Sequence, residues 1–373
     1  MNRIRLVWGR LGLVQRIVAI TIPVVVLLVA VGAATYVLTT APGPVAVTDS
    51  SDSPDSPANS LPPLPPEPTL APDVSPTPSP TPAPPGADPL LGTDGRLTVL
   101  LLGSDYRPAH PGNRTDAIMV VSVDPTTGKA AGVSIPRDTS GFPVGDGTIY
   151  GAKVNALYEH LQSQTGNGGL ALSRAVGKAL GVEIDGYILI GFAGVKNLVA
   201  AVGGVDVTLD KPYYDAHYWV TARKEGWGLP AGTSHLGAND ALIFARSRKG
   251  DNDFGRARRQ QILVLAALAK VRSQGVATLP RLLQIAATTI RTDLPLDRAA
   301  DLFDIISKTD ISKINRTVFG PTKFASGSGG TSFQLKLIVC RAWIKANFPA
   351  IRPMGHWPAA SAPAASPAAS TTP

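Results

Sequence analysis

The chain has 373 residues, 44% of them hydrophobic, which suffices for a folded core in two domains or in one domain with appendages. Its single cysteine, Cys340, excludes an intrachain disulfide. The net charge of +8 does not choose between nucleic acid, anionic lipid and phosphorylated substrates as partners.

The N-terminal region has the pattern of a membrane anchor. Residues 1–16 are basic and contain no acid, and they precede an uncharged apolar stretch from Ile17 to Leu38. As a helix this stretch is roughly 33 Å long, enough to cross a bilayer. We therefore predict a cytoplasmic tail at 1–16, a transmembrane helix at 17–39 and an extracytoplasmic remainder in the cell membrane. A cleaved signal peptide is the alternative, although its apolar core is usually shorter.

Two low-complexity segments flank the folded part. Residues 40–94 are rich in Pro and Ser and predict a disordered stalk, and residues 358–373 predict a disordered tail. The folded part is predicted as a domain over 95–275, followed by a mostly helical part over 276–357.

Apolar runs and helical periodicity alternate in this folded part. Strands are predicted at 97–103, 116–123, 129–135, around Tyr187 and at 205–209. Helices are predicted at 153–162, 170–180, 193–202, 239–245 and 256–271. The order predicts an α/β (α+β) layered domain with a central, mostly β core flanked by helices, behind the transmembrane helix.

Two acidic residues lie where predicted strands end and begin. Asp105 follows the first strand in L-L-L-G-S-D-Y-R, and Asp116 opens the second. If the strands are neighbours, both carboxylates lie at one edge of the sheet, and hard oxygen ligands suit Mg²⁺. Spacing alone favours the alternative that these acids cap turns or pair with Arg107 and Arg114.

Two further motifs are weaker. In S-I-P-R-D-T, Arg137 can add a donor to an anion site and Asp138 can orient it, although such a pair is often only structural. In K-V-N-A-L-Y, Lys153 precedes Asn155 and Tyr158, which share a face if the segment is helical. Taken alone, this second motif is better explained by an ordinary amphipathic helix.

The densest charge is an arginine cluster, A-R-S-R-K-G-D-N-D-F-G-R-A-R-R-Q-Q, which begins at Ala245. Crowded guanidinium groups repel one another unless an anion lies among them, and Arg is well shaped to hold phosphate. If Gly255 marks the helix start, Arg256, Arg259 and Gln260 share a face at the positive end of the helix dipole. The cluster predicts a phosphate or pyrophosphate site, with a solvated helix face or a nucleic-acid patch as alternatives.

Other chemistries are disfavoured by what the sequence lacks. It contains no G-x-x-x-x-G-K-[ST] phosphate loop, and its five histidines are scattered without an H-x-x-x-H pair. Nucleic acid is not an expected partner, because the predicted topology places the domain outside the cytoplasm.

Taken together and in order, these segments resemble the LytR-CpsA-Psr family of bacterial cell-wall enzymes. The matching motifs fall roughly within 96–272 and are L-L-G-S-D-Y-R, N-R-T-D-A-I-M, S-I-P-R-D, K-V-N-A-L-Y, V-G-G-V-D-V and A-R-S-R-K-G-D-N-D-F-G-R-A-R-R-Q. Two departures stand out: Tyr106 replaces a commonly small residue, and the segment after 280 matches no familiar part of the family.

The resemblance implies a membrane-anchored phosphotransferase whose catalytic domain is 95–275. Such an enzyme moves a glycopolymer from a polyprenyl-pyrophosphate carrier to a peptidoglycan hydroxyl, forming a phosphodiester, and the family's apolar groove takes the lipid tail. The implied metal is Mg²⁺ (or Mn²⁺) on Asp105 and Asp116. The implied pyrophosphate-binding residues are Arg107, Arg114, Arg137, Lys153, Asn155, Arg246, Arg248, Arg256, Arg259 and Gln260.

The chemistry needs charge neutralisation more than a protein nucleophile. Arg137 is therefore assigned a catalytic role, and Asp138 and Asp253 are the candidates for the base that takes the acceptor proton. Two alternatives stay open: a polyprenyl-pyrophosphate hydrolase with water as acceptor, and a non-catalytic binder of anionic wall polymer or regulator.

Overall fold

The computed structural model describes residues 90–106, 112–221, 224–327 and 332–351. The predicted tail 1–16, the predicted span 17–39, most of the predicted stalk and the segment 358–373 lie outside these residues. What is described confirms a mixed α/β domain with a central sheet and flanking helices.

The strands are numbered in chain order. They are β1 (Leu97–Ser104), β2 (Thr115–Val123), β3 (Ala130–Ser134), β4 (Phe142–Gly145), β5 (Thr148–Tyr150), β6 (Gly186–Ile190), β7 (Val205–Leu209), β8 (Tyr213–Thr221), β9 (Lys224–Leu229), β10 (Gly232–Leu236), β11 (Ile290–Thr292), β12 (Asn315–Val318), β13 (Ala325–Ser326) and β14 (Gln334–Leu335).

The helices follow the same rule. They are α1 (Leu157–Thr165), α2 (Gly168–Leu180), α3 (Phe192–Ala201), α4 (Ala238–Arg246), α5 (Asp253–Gln274), α6 (Leu279–Thr289), α7 (Ala299–Lys308) and α8 (Leu337–Asn347). Short 3₁₀ turns occupy Val154–Ala156, Val276–Thr278, Leu296–Arg298 and Ile311–Lys313.

The central sheet has six strands in the order β11-β6-β1-β2-β3-β12. Its centre is an antiparallel meander of β1, β2 and β3, and β6 and β12 join it in parallel to β1 and β3. Both edge strands, β11 and β12, come from the chain after residue 276, so this part of the sequence completes the sheet.

The central strands are buried on both faces, which explains their continuous apolar runs. In β1, Leu100 and Leu102 pack on one face with residues of α1, α2 and α8. Leu97 and Val99 point to the other face and pack with Leu294 and Ile305. Complete burial of each such side chain contributes roughly 1.5–3 kcal/mol.

The β8–β9 hairpin lies beside a separate apolar cluster formed with α3, α4 and α5. Trp227 of β9 is buried in this cluster, and its indole donates to the Asp240 carboxylate at 2.9 Å. This hairpin was not predicted from the sequence, and it contacts the site described below.

Several predicted boundaries shift. Leu90 and Leu91 are buried, so the folded part begins by residue 90 rather than at 95. The helix predicted from 153 begins with the 3₁₀ turn and becomes α-helical at Leu157. Helix α5 begins at Asp253, not at Gly255, because the Asn252 side chain caps it by accepting from the amides of Phe254 and Gly255 at 3.0 Å each.

Within the described ranges, no single helix is long and apolar enough to cross a membrane. Helix α5 and the helical segment Val276–Thr289 meet the length and composition criteria together, but they are bent by 105° at the break between them.

Candidate functional site

A cleft of about 340 Å³ opens at the end of the sheet where β2 begins and β3 ends. The N-terminal turns of α5 form its opposite wall. Its charged and polar lining consists of Asp116, Ser134, Arg137, Asp138, Asn252, Asp253, Arg256, Gln260 and Ser332. Loops at strand ends and the N-terminus of a helix are both favourable places for an anionic ligand.

Two guanidinium groups share two carboxylates inside the cleft. Nη1 of Arg137 donates to both oxygens of Asp116, at 2.9 and 2.8 Å, and its Nε lies 3.4 Å from Asp253. Arg256, only 6% exposed in its side chain, has Nη2 3.4 Å from Asp253 and Nη1 3.9 Å from Asp116. Residues far apart in sequence therefore converge on one charged network.

The network leaves donors unused. The Nε atoms of Arg137 and Arg256 are buried and have no hydrogen-bond acceptor among the described residues. A buried donor without a partner costs about 1–3 kcal/mol, and more in a charged group. Phosphate oxygens are well suited to accept from guanidinium groups, so this feature indicates an anionic ligand.

The two arginines have different electrostatic environments. Burial lowers the pKa of Arg137, but Asp116 and then Asp253 and Asp138 outweigh burial and raise it. For Arg256, burial outweighs the attraction of Asp253 and Asp116 and lowers its pKa below the ordinary value of an arginine. Both groups stay cationic at neutral pH, and Arg256 is the one whose charge is less completely neutralised by the protein.

Asp138 lies beside Arg137 and is ionised. Burial raises its pKa, but the hydrogen bond with Lys153 and the charge of Arg137 prevail and lower it. Lys153 Nζ donates to Asp138 Oδ1 at 2.7 Å, so Lys153 holds a carboxylate in this structure. Asn155 is buried, and its side-chain amide donates to Asp116 Oδ1 at 3.3 Å, which helps to fix the position of that carboxylate.

Asp105 and Asp116 lie at the same end of the β1–β2 pair, since Ser104 is opposite Thr115. The Asp105 carboxylate accepts from the Arg114 amide at 2.9 Å, and Arg107 lies outside the described residues. No group of three or more His, Cys, Asp or Glu side chains suited to a metal occurs in the described part of the chain. The two carboxylates fit Mg²⁺ only if water and ligand phosphate complete its coordination, as is usual for this ion.

Some residues of the predicted arginine cluster line the cleft, and others pack against neighbouring elements. Arg248 has Nη1 3.9 Å from Asp253 and is 45% exposed in its side chain, so it lies at the rim. Arg246 instead stacks on the Phe192 ring at 4.3 Å from its centroid. Gln260 lines the cleft while donating to the Ala245 carbonyl at 3.2 Å.

Arg259 does not face the cleft, although it lies one turn beyond Arg256. Its guanidinium donates to the carbonyls of Phe244 and Ser247 and to the Asp251 carboxylate. It also lies over the Tyr213 ring, 3.9 Å from the centroid. At 4% exposure and with these partners, Arg259 fixes the loop between α4 and α5, and the pyrophosphate contact implied for it stays a prediction.

Asp215 of β8 secures the same loop and was missed in the sequence. Its Oδ2 accepts from the Ser247 hydroxyl at 2.5 Å and from the amides of Arg248 and Lys249 at 3.1 and 2.9 Å. Asp215 is 1% exposed. The isolated D-A-H in its strand carries no local signal for this contact, which depends on where the hairpin packs.

An apolar cavity lies along α5, and the sequence did not identify the residues that form it. Its accessible volume is about 50 Å³, and it is lined by Met119, Val121, Val123, Gly132, Gln261, Val264, Leu265, Leu268, Ile306, Thr309, Ile311, Ile314 and Arg316. The alternation of β2 puts Met119, Val121 and Val123 on one face of the sheet, and the period of α5 turns Gln261, Val264, Leu265 and Leu268 toward them.

Comparison with known proteins agrees with this geometry. Residues 79–334 match the LytR_cpsA_psr family model, which extends the resemblance beyond 272 and through β12. The polyisoprenyl-teichoic acid–peptidoglycan teichoic acid transferase TagU of Bacillus mycoides (strain KBAB4) is 35% identical over 210 residues, covering 55% of this chain and 63% of TagU.

Two comparisons concern TagV of Bacillus subtilis. TagV of strain 168, a transferase with the same printed activity, is 30% identical over 223 residues, covering 58% of this chain and 55% of TagV. The crystal structure of TagV superposes with a TM-score of 0.55 and 25% identity, covering 68% of this chain and 97% of that chain. The chain thus spans less than two thirds of the curated relatives.

Proposed function

The chain belongs to the LytR-CpsA-Psr family, and from this we propose that it transfers a glycopolymer from a polyprenyl-pyrophosphate carrier to a peptidoglycan hydroxyl. The product is a phosphodiester, and the leaving group is the polyprenyl phosphate. The names of the relatives from B. mycoides and B. subtilis support this substrate class.

The observation that carries the proposal is that a cationic cleft and a separate apolar cavity follow one another along one helix. Arg256 and Gln260 of α5 line the cleft, and the cavity is lined by Gln261, the next residue, and by Val264 and Leu268 in the following two turns. A ligand with a diphosphate head and a hydrocarbon tail matches this sequence of surfaces.

The cavity must widen to admit a prenyl chain, because about 50 Å³ is far less than such a chain occupies. Its outer wall includes Ile306 of α7 together with Ile311 and Ile314, and these three residues are only partly buried. Movement of this wall away from α5 is the conformational step that we expect on lipid binding.

In the proposed reaction, the acceptor hydroxyl oxygen attacks the phosphorus that carries the glycan. A new P–O bond forms as the bond to the bridging oxygen breaks, and the bond's electron pair leaves with the polyprenyl phosphate. Arg137 and Arg256, which both line the cleft, bind the diphosphate oxygens and spread the negative charge.

The hydroxyl proton passes to a carboxylate at the cleft. Asp253 is better placed than Asp138 to accept it, because the nearest guanidinium nitrogens lie 3.4 Å from Asp253, whereas Lys153 binds Asp138 at 2.7 Å. We therefore assign Asp253 as the base, with Asp138 positioning Arg137 and Lys153.

We also propose that Asp105 and Asp116 hold Mg²⁺ (or Mn²⁺) together with ligand phosphate. When bound, the ion neutralises phosphate charge. For Asp116 to contribute, its contact with Arg137 has to loosen, which would free Arg137 for the diphosphate. The N-terminal segment 17–39 is proposed as the membrane anchor, with the domain on the extracytoplasmic side.

The test uses the full chain in detergent with a labelled lipid-linked glycan, with and without peptidoglycan. Wall-bound label that depends on the protein supports transfer, whereas free glycan in equal amounts with and without peptidoglycan indicates a hydrolase. Arg137→Ala should lower transfer by about 100-fold or more, while Arg174→Ala, exposed on α2, should not change it. Chelation should abolish transfer and added Mg²⁺ restore it; activity that survives chelation would exclude the metal.

A further inference from the structure

The cleft has a second wall with a different chemistry. Phe254, in the first turn of α5, and Phe333, which precedes β14, both line it, and their ring centroids are 5.7 Å apart with planes at 42°. Both residues are partly exposed. Apolar rings beside a cationic network are unfavourable for a phosphate and favourable for a ligand group with an apolar face.

Each ring is fixed next to one of the two candidate bases. Phe254 follows Asp253 directly and packs so closely against Gly320 that a β-carbon there would lie 3.2 Å from the ring. Phe333 forms a β-bridge with Thr139, and its amide donates to the Asp138 carbonyl at 3.4 Å. The two rings therefore line the same cleft as the two carboxylates that can accept a proton.

The rings are separate from the apolar cavity, whose lining includes neither Phe254 nor Phe333. The cavity extends along α5 from Gln261 onward, whereas the rings lie at the N-terminal end of that helix. A lipid tail in the cavity therefore leaves the aromatic wall free.

We propose that Phe254 and Phe333 form the subsite for the acceptor sugar. The C–H face of a pyranose ring would stack on the aromatic pair, and this would direct its hydroxyl to Asp253. This inference rests on the proposed transfer reaction and adds to it the surface that selects a sugar hydroxyl over water.

The test compares Phe254→Leu and Phe333→Leu with the unchanged protein, after thermal melting has shown that each variant is folded. We expect the KM for the peptidoglycan acceptor to rise about tenfold per ring. The KM for the lipid-linked donor and the rate of donor hydrolysis should stay within about twofold. Phe254→Tyr keeps the ring and should restore the acceptor KM.

Trp219→Leu is the matched control, because Trp219 is an aromatic residue 60% exposed on the β8–β9 hairpin and does not line the cleft. A rise in the donor KM alone would assign the rings to the lipid and overturn the inference. So would equal effects on all three quantities, since these would indicate a purely structural role.

A binding measurement separates this inference from the proposed function. Binding of a soluble peptidoglycan disaccharide is followed by NMR in the unchanged protein and in Phe254→Leu. If the unchanged protein transfers no glycan but binds the disaccharide through Phe254, the reaction is wrong and the subsite stands. If transfer occurs and both proteins bind and use the acceptor alike, the subsite is wrong and the reaction stands.

Discussion

Removal of the Asp215 carboxylate should disturb the cleft from a distance. Asp215 lies outside the cleft lining, but one of its oxygens accepts three hydrogen bonds from residues 247–249 and the other accepts from the His217 amide at 3.1 Å. Those residues include Arg248, and the same loop continues to Asp253 at the start of α5. In Asp215→Ala, the loop loses its attachment to the hairpin.

The magnitude follows from these contacts. A hydrogen bond to a charged acceptor contributes about 1.5–3 kcal/mol, and amides at the loop surface recover part of this from water. We therefore expect Asp215→Ala to lower the free energy of unfolding by about 3 kcal/mol. In Asp215→Asn, the amide oxygen can keep the three loop contacts and only the His217 contact is lost, so the expected loss is about 1 kcal/mol.

Urea unfolding measures the stability, and transfer from a lipid-linked donor measures the activity. Asp240→Ala is the control, because Asp240 binds Trp227 of the same hairpin at 2.9 Å without contacting the loop. In the absence of urea, where both variants are folded, the transfer activity of Asp215→Ala should be at least tenfold lower than that of Asp240→Ala. Equal activity of the two variants would refute the claim that Asp215 positions the cleft.

Three further predictions test other parts of the structure. Gly132→Leu should fill the apolar cavity and raise the donor KM at least tenfold with little change in melting temperature, because a β-carbon there meets its nearest neighbours at 3.6 and 3.7 Å. Gly132→Ala is the control. Unchanged donor binding in Gly132→Leu would argue against a lipid tail in this cavity. Arg259→Ala should lower the free energy of unfolding by about 3–5 kcal/mol, as expected when a buried ion pair loses one partner. Arg256→Ala should mainly abolish transfer. If urea unfolding showed the larger loss of stability in Arg256→Ala and kinetics the larger loss of transfer in Arg259→Ala, the roles given to the two arginines would be wrong. Burial raises the pKa of Asp185 from 3.8 to about 8, so between these pH values the native state keeps a proton that the unfolded state releases. The free energy of unfolding should therefore fall by about 1.4 kcal/mol per pH unit in this range. Asp185→Asn should remove this slope in urea titrations, and an identical slope in both proteins would contradict a protonated Asp185.

Much of the sheet could be predicted because its strands have strong local signals. The apolar runs of β1, β2 and β3 need no partner to be recognised, and the glycines after α3 mark its end. The edge strands β11 and β12 are three and four residues long and lack such a signal. They are strands only because β6 and β3 offer them unpaired backbone groups.

The site was predicted only in part, for a related reason. The motifs identified most of the charged residues, but they could not separate those that face a ligand from those that hold the loop. Arg256 and Arg259 show this, since both belong to one dense cluster. One lies in the cleft with an unpaired Nε, and the other is enclosed by carbonyls and the Tyr213 ring.

The amino-acid sequence by itself determined the order of strands and helices, the basic cluster before α5 and the family, because periodicity, capping and motif spacing are properties of neighbouring residues. Only the tertiary structure decided which guanidinium groups line the cleft and which hold the loop, and it alone brought Asp215 to that loop and Phe254 and Phe333 to the cleft. A helix fixes the angle between side chains three positions apart, but the elements that pack around it decide what each side chain meets.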